Sequence, residues 1–153
     1  MFNTQRMKSI FLHQKYKIST FPIPIWEIEQ IIIDRGYDVC ISNKSKASFI
    51  LSTTVFVPNF SDTHNRFCLS HELGHIMCNH YDVYRVDKYT KNKYEAQADA
   101  FALYLIMPPF CFDRDLEQFN EWDLAEKYGI PVEYVIKRAA LITEPSNKEM
   151  RLY

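Results

Sequence analysis

His71 and His75 stand four residues apart, with Glu72 beside the first, in the run His71-Glu72-Leu73-Gly74-His75. No other feature constrains the fold of this chain as strongly. Residues four apart on an α-helix share one face, with side-chain roots about 5–6 Å apart. Both imidazoles can then close on one Zn²⁺ at about 2.0–2.1 Å per bond. Glu72 lies about 100° round the helix, beside the metal's open position and not on the metal. There a carboxylate can take a proton from water. A catalytic zinc needs three protein ligands and one position left for water, so a third donor must come from elsewhere in the chain.

The segment Tyr94-Glu95-Ala96-Gln97-Ala98-Asp99-Ala100-Phe101-Ala102 supplies one. Glu95 and Asp99 are four apart and share a helical face with Ala98 and Ala102. Small residues beside two carboxylates let this helix approach another closely. Glu95 is the candidate third ligand. Asp99 is the candidate acceptor for the free ring N–H of a ligating histidine, which would fix its tautomer. The residues from Ala96 to Met107 are apolar on almost every side, which predicts a buried helix. Buried acids need partners. Twenty residues separate His75 from Glu95, room for a helix end, a loop and a new helix start.

His71-Glu72-x-x-His75 followed by Glu95-x-x-x-Asp99 is similar to the gluzincin arrangement. The longer strings Arg66 to His75 and Glu95 to Ala102, running on through Leu105-Ile106-Met107-Pro108, resemble the ImmA/IrrE family of small bacterial and phage metallopeptidases. The resemblance covers about Arg66 to Pro109 and is weaker outside it. It implies a cytoplasmic zinc endopeptidase that cuts a DNA-binding, helix-turn-helix repressor in a bacterial or phage switch. It also implies His71 as the histidine that Asp99 holds. Cys68 and Ser70 depart from the family's usual residues without touching the chemistry, and no oxyanion-stabilising residue carries over. Mn²⁺ suits the same two-His, one-carboxylate set. Two rival readings stand beside this one. The first is a zinc-binding antirepressor that acts by protein contact without cleavage. The second is a DNA-binding regulator built on residues 122–138.

With 153 residues the chain is expected to form one domain, with a catalytic core over about 21–110 and a helical part over about 111–142 packed on it. Hydrophobic residues make up 47% and aromatic residues 15%, which speaks for a globular protein and against disorder. The net charge of −1 gives no basic excess to drive nucleic-acid binding, so no direct nucleic-acid partner is expected. No apolar run approaches a membrane span, and none near the start matches a signal peptide. Cys40, Cys68, Cys78 and Cys111 are therefore expected to be reduced thiols in a cytoplasmic protein. Cys78 could face the same side as His75 but is not needed once two histidines and a glutamate complete the set.

The expected class is α+β: a small, mainly antiparallel sheet of about three strands packed on the site's helix pair, with a helical C-terminal part. Residues 1–20 carry little signal. Ile25, Ile28, Ile31 and Ile32 recur at helical spacing after Pro24, with Gly36 as the C-cap. Tyr37–Ile41, Ala47–Leu51 and Thr54–Val57 read as strands, and Thr54–Val57 is the candidate edge for an added substrate strand. Asp62 or Thr63 is expected to cap the metal-site helix. Gly74 within it costs about 1 kcal/mol against alanine, a cost that close approach of sheet or substrate backbone would offset. His64 and His80 read as surface residues, and Tyr81, Tyr84, Tyr89 and Tyr94 as packing residues, any of which could reach an oxyanion. Pro108-Pro109 should end the second helix. Residues 122–138 resemble two helices about a glycine turn, but Pro131, Val132 and Glu133 are poor starters for a base-reading helix. Residues 143–153 read as a tail.

Overall fold

The computed structural model describes residues 1–142 except 82 and 84; the expected tail and Tyr84 lie outside the described residues. Apolar periodicity, caps and glycine turns divide the chain into α1 (Asn3–Lys15), α2 (Ile25–Asp34), β1 (Asp38–Ser42), β2 (Phe49–Leu51), β3 (Thr54–Pro58), α3 (Asp62–Met77), α4 (Lys88–Ile106), α5 (Pro109–Asp115), α6 (Glu121–Tyr128) and α7 (Val132–Ile142). The fold is α+β, with three strands and a helical C-terminal part. Residues 1–20, uninformative as sequence, contribute a thirteen-residue helix. Its Leu12 is fully buried.

The sheet is mixed and its order is β1-β3-β2. β3 pairs parallel to β1 and antiparallel to β2, with Ile50 opposite Val55. Thr54–Val57 is therefore the centre of the sheet, not its edge. The cause is composition. Val55 and Val57 are fully buried, whereas β1 and β2 are at most partly covered, and the strand with most apolar surface to hide takes the position with two neighbours. β2 is left as an edge.

α4 is the helix against which α3 and α1 pack most extensively, with α7 on it as well, while α2 packs on α3 and α6 on α7. From Ala98 to Met107 only Asp99 is not buried, because this half of the helix is covered from several sides. One side joins α2, β3 and α3 through Ile31, Val55, Leu69 and Leu73. The other joins α5, α6 and α7 through Phe112, Leu124, Tyr128 and Val135. Buried Arg66 of α3 ties the C-terminal part in, donating to the carbonyls of Ile23 at 2.8 Å and Gly129 at 2.6 Å. Gly129, at φ +62°, ends α6 in the left-handed conformation that glycine adopts without strain. Among the described residues no helix is long and apolar enough to cross a membrane.

Candidate metal centre

α3 is capped by Ser61, whose hydroxyl accepts from the His64 N–H. The cap is thus one residue before Asp62 and two before Thr63, the two expected candidates. From there the helical repeat turns His71 and His75 towards α4. α4 is capped by Asp87, which accepts from the Thr90 N–H at 2.7 Å, and its second turn delivers Glu95. The two helices cross very closely. A Cβ on Gly74 would lie 2.8 Å from the Ala98 carbonyl oxygen and 3.0 Å from the Ala98 Cα. The backbone that Gly74 admits is therefore that of α4, where sheet or substrate backbone had been expected.

The crossing brings His71, His75 and Glu95 together. His71 Nε2 and His75 Nε2 are 3.1 Å apart. His71 Nε2 lies 3.1 Å from Glu95 Oε2, and His75 Nε2 lies 3.1 Å from Glu95 Oε1. Donors at the corners of a tetrahedron with about 2.0–2.1 Å bonds stand roughly 3.3 Å apart, close to the 3.1 Å between the two histidine nitrogens and between each nitrogen and its own oxygen of Glu95. Two imidazoles and a carboxylate are a donor set for a divalent metal. The side chains of His71 and His75 are 12% and 5% exposed and that of Glu95 is 42% exposed, which turns the triangle's open side to solvent.

The remaining ring nitrogens are also engaged. His71 Nδ1 is 2.6 Å from Asp99 Oδ1. Burial works to lower the His71 pKa, but the Asp99 and Glu95 hydrogen bonds, with the charge of Glu72, outweigh it and push it up to about 10. Hydrogen bonds from His71 and His75 hold the Glu95 carboxyl far below the usual carboxylate range. So acidic an environment favours a cation at the centre, proton or metal. His75 Nδ1 is 3.0 Å from His80 Nδ1. His80, expected at the surface from the sequence, is buried. It is 8% exposed, its ring stacks on Tyr94 with centroids 4.0 Å apart, and burial lowers its pKa. His64 is exposed, as read.

Glu72 is 3% exposed and does not belong to the triangle. Ser48, just before β2, donates from Oγ to Glu72 Oε1 at 2.9 Å. Burial raises the Glu72 pKa, against the opposing pull of His71, His75 and Ser48. A carboxylate held this way is more basic than one in water. A cleft of about 530 Å³ opens over these groups, lined by Ser48 to Ser52 on one side and His71, Glu72, His75 and Glu95 on the other. Tyr81 also lines it, and Tyr89 is exposed. Sequence reasoning missed Ser48 and His80. Nothing local marks Ser48, but His80 follows Asn79, a residue type that often ends helices in the left-handed conformation.

Among solved structures, a Mycobacterium tuberculosis transcriptional regulator superposes with a TM-score of 0.78 at 15% identity, over 95% of this chain and 49% of that one. The likeness is one of fold, and the chain spans about half the length of that regulator. No curated protein matches the sequence significantly. The model of the Peptidase_M78 family, described as IrrE N-terminal-like domain, matches residues 53–140. That stretch holds the α3–α4 crossing with all four of His71, Glu72, His75 and Glu95 and amounts to more than half of the sequence, so the chain belongs to the Peptidase_M78 family.

Proposed function

We propose that this protein is a zinc-dependent endopeptidase in which His71, His75 and Glu95 hold the metal, Glu72 is the general base, and Asp99 orients His71. The observation that carries the reading is the cluster of donor atoms, with His71 Nε2 and His75 Nε2 3.1 Å apart and each 3.1 Å from one oxygen of the Glu95 carboxylate, beside a separately held, buried carboxylate. A bound Zn²⁺ supplies Lewis-acid polarisation of a peptide carbonyl and makes water acidic enough to attack near neutral pH. Glu72 accepts the proton of the attacking water and hands it to the leaving amine nitrogen. Its basicity suits the first task, and the Ser48 hydroxyl keeps its carboxylate turned to the site. Mn²⁺ would satisfy the same donors.

β2 gives the substrate its place. It has a neighbour on only one side and its residues line the cleft. An extended peptide can add to its free edge through main-chain hydrogen bonds, which lays a scissile bond across the site. The proposed substrate is a helix-turn-helix repressor, cut at one place in a bacterial or phage switch. The resemblance of the Arg66–His75 and Glu95–Pro108 strings, and the fold shared with a transcriptional regulator, support that choice. The DNA-binding alternative has less behind it. The exposed face of α7 begins with the acidic Glu133 and carries the apolar Ile136, a poor surface for reading bases between phosphates.

Glu72→Gln tests catalysis against a binding role. Co-expressed with the repressor gene adjacent to its own, the parent should yield a cleaved product. Glu72→Gln should reduce cleavage by about 10²–10⁴-fold and retain zinc. Equal action of both proteins, with no fragment from either, would establish a non-catalytic antirepressor instead.

A further inference from the structure

His80 owes its position to the way α3 ends. Asn79 has φ +56°, and two backbone bonds close the turn: Asn79 N–H to the Ile76 carbonyl at 3.2 Å and His80 N–H to the His75 carbonyl at 2.9 Å. This is the Schellman arrangement, which folds the second residue past the cap back against the last turn of its helix. The contact it makes is usually apolar. Here it joins two imidazoles, and the partner is His75. From there the contacts continue to α4. His80 Nε2 lies 2.8 Å from Gln97 Oε1, two residues along the chain from Glu95. Tyr94, on the same helix, covers the flat of the His80 ring.

A proton count gives this chain of contacts a direction. Two ring nitrogens 3.0 Å apart share one proton, so one donates and the other accepts. The Gln97 amide oxygen can only accept, which requires the hydrogen of His80 to be on Nε2. A neutral His80 then has a lone pair on Nδ1 and accepts from His75 Nδ1–H. The lone pair of His75 is left on Nε2, the atom that faces Glu95. With the amide reversed, every proton would shift one place and Nε2 of His75 would carry hydrogen, unable to bind a metal.

We propose that His80 and Gln97 are positioning residues that fix the tautomer and orientation of His75 for metal binding, through a relay that carries no charge. The proposal rests on the metal-centre reading above. The two histidines are thus held by different means: His71 by the Asp99 carboxylate, His75 by an imidazole and an amide. Glu72, Glu95 and Asp99 already bring three carboxylates to the centre, and a neutral relay orients His75 without adding a fourth.

The test is Zn²⁺ affinity, read by competition with a chromophoric chelator, in the parent, Gln97→Leu, Gln97→Glu, His80→Phe and the double variant Gln97→Leu/His80→Phe. Leucine keeps the bulk of Gln97 and removes its acceptor, and should weaken binding about 10–100-fold. Glutamate restores an acceptor and should return affinity to within a few-fold of the parent. Phenylalanine keeps the stack on Tyr94 but breaks the relay, and its loss should not add to that of Gln97→Leu. Long-range ¹H–¹⁵N correlation spectra of the zinc-loaded parent should show hydrogen on Nδ1 of His75 and on Nε2 of His80. Melting of the metal-free variants close to the parent would show that they fold. Parental affinity in Gln97→Leu, equal losses in the Leu and Glu variants, or the opposite tautomers would overturn the proposal and leave the metal centre standing. A parent that binds no Zn²⁺ would overturn both.

Discussion

Replacing Gly74 by alanine pits the helix against its neighbour. In an isolated helix the change should stabilise by about 1 kcal/mol, since glycine loses more backbone entropy on folding. In this protein the new methyl would meet the Ala98 carbonyl oxygen at 2.8 Å, the Ala98 Cα at 3.0 Å and Phe101 Cδ1 at 3.2 Å. Carbon atoms settle at about 3.5–4.0 Å, and two of these three neighbours are backbone that no rotamer change can move. α4 would have to retreat by roughly half an ångström at the crossing. Overpacking of this kind costs about 1–3 kcal/mol. Rigid backbone argues for the upper end, which leaves a net loss of about 2 kcal/mol once the propensity gain is set against it. For a chain of this size that corresponds to a fall in Tm of about 4–8 °C. The retreat also carries Glu95 away from the two histidines. Functional constellations tolerate displacements of only about 0.5 Å, so zinc affinity should fall about tenfold or more. Circular-dichroism melts of the metal-free proteins and a chelator competition read the two effects separately. An alanine variant that melts at or above the parent temperature and binds zinc equally well would refute the crossing as described.

Ser48→Ala removes the hydroxyl that favours the charged form of Glu72, so the carboxyl pKa, already raised by burial, should rise further. The acid limb of the kcat/KM profile should then move to higher pH with the alkaline limb in place, and an unmoved acid limb would exclude Ser48 from the site. Asp115 is buried, which by itself would raise its pKa; its ion pair with Lys127 and the Tyr128 hydroxyl, which donates at 2.6 Å, outweigh this and lower it. A folded pKa below the unfolded value of about 3.9 gives stability that is complete above that value and disappears as pH falls through the folded pKa. Asp115→Asn should therefore cost about 1.5–3 kcal/mol at pH 7, and the gap from the parent should narrow below about pH 4. Urea unfolding at pH 7 and pH 3 measures both; a gap independent of pH would contradict the assignment.

The parts of this molecule that could be read in the sequence are those encoded within one helix. His71 and His75, like Glu95 and Asp99, are pairs at a spacing of four, and a helix converts that spacing into a shared face whatever surrounds it. The strands were legible to within two residues at their ends from local alternation and turn residues, but their order was not. Strands met in succession suggest a meander with the second in the middle, whereas β3 sits between β1 and β2. The deciding property was burial, since only β3 brings two fully buried valines. Gly74 announced that some backbone would come close, and only the crossing shows that it is the backbone of Ala98. The role of His80 was half local: Asn79 predicts a left-handed cap, and that cap folds the next residue onto His75. Gln97 had no such signal. It reaches His80 because α3 and α4 cross at a residue without a side chain, so the contact that brings Glu95 to the histidines also brings Gln97 to His80. Ligand and positioning residues are therefore coupled through one crossing, and a change that opens it, as Gly74→Ala should, ought to disturb the triangle and the His80–Gln97 hydrogen bond together.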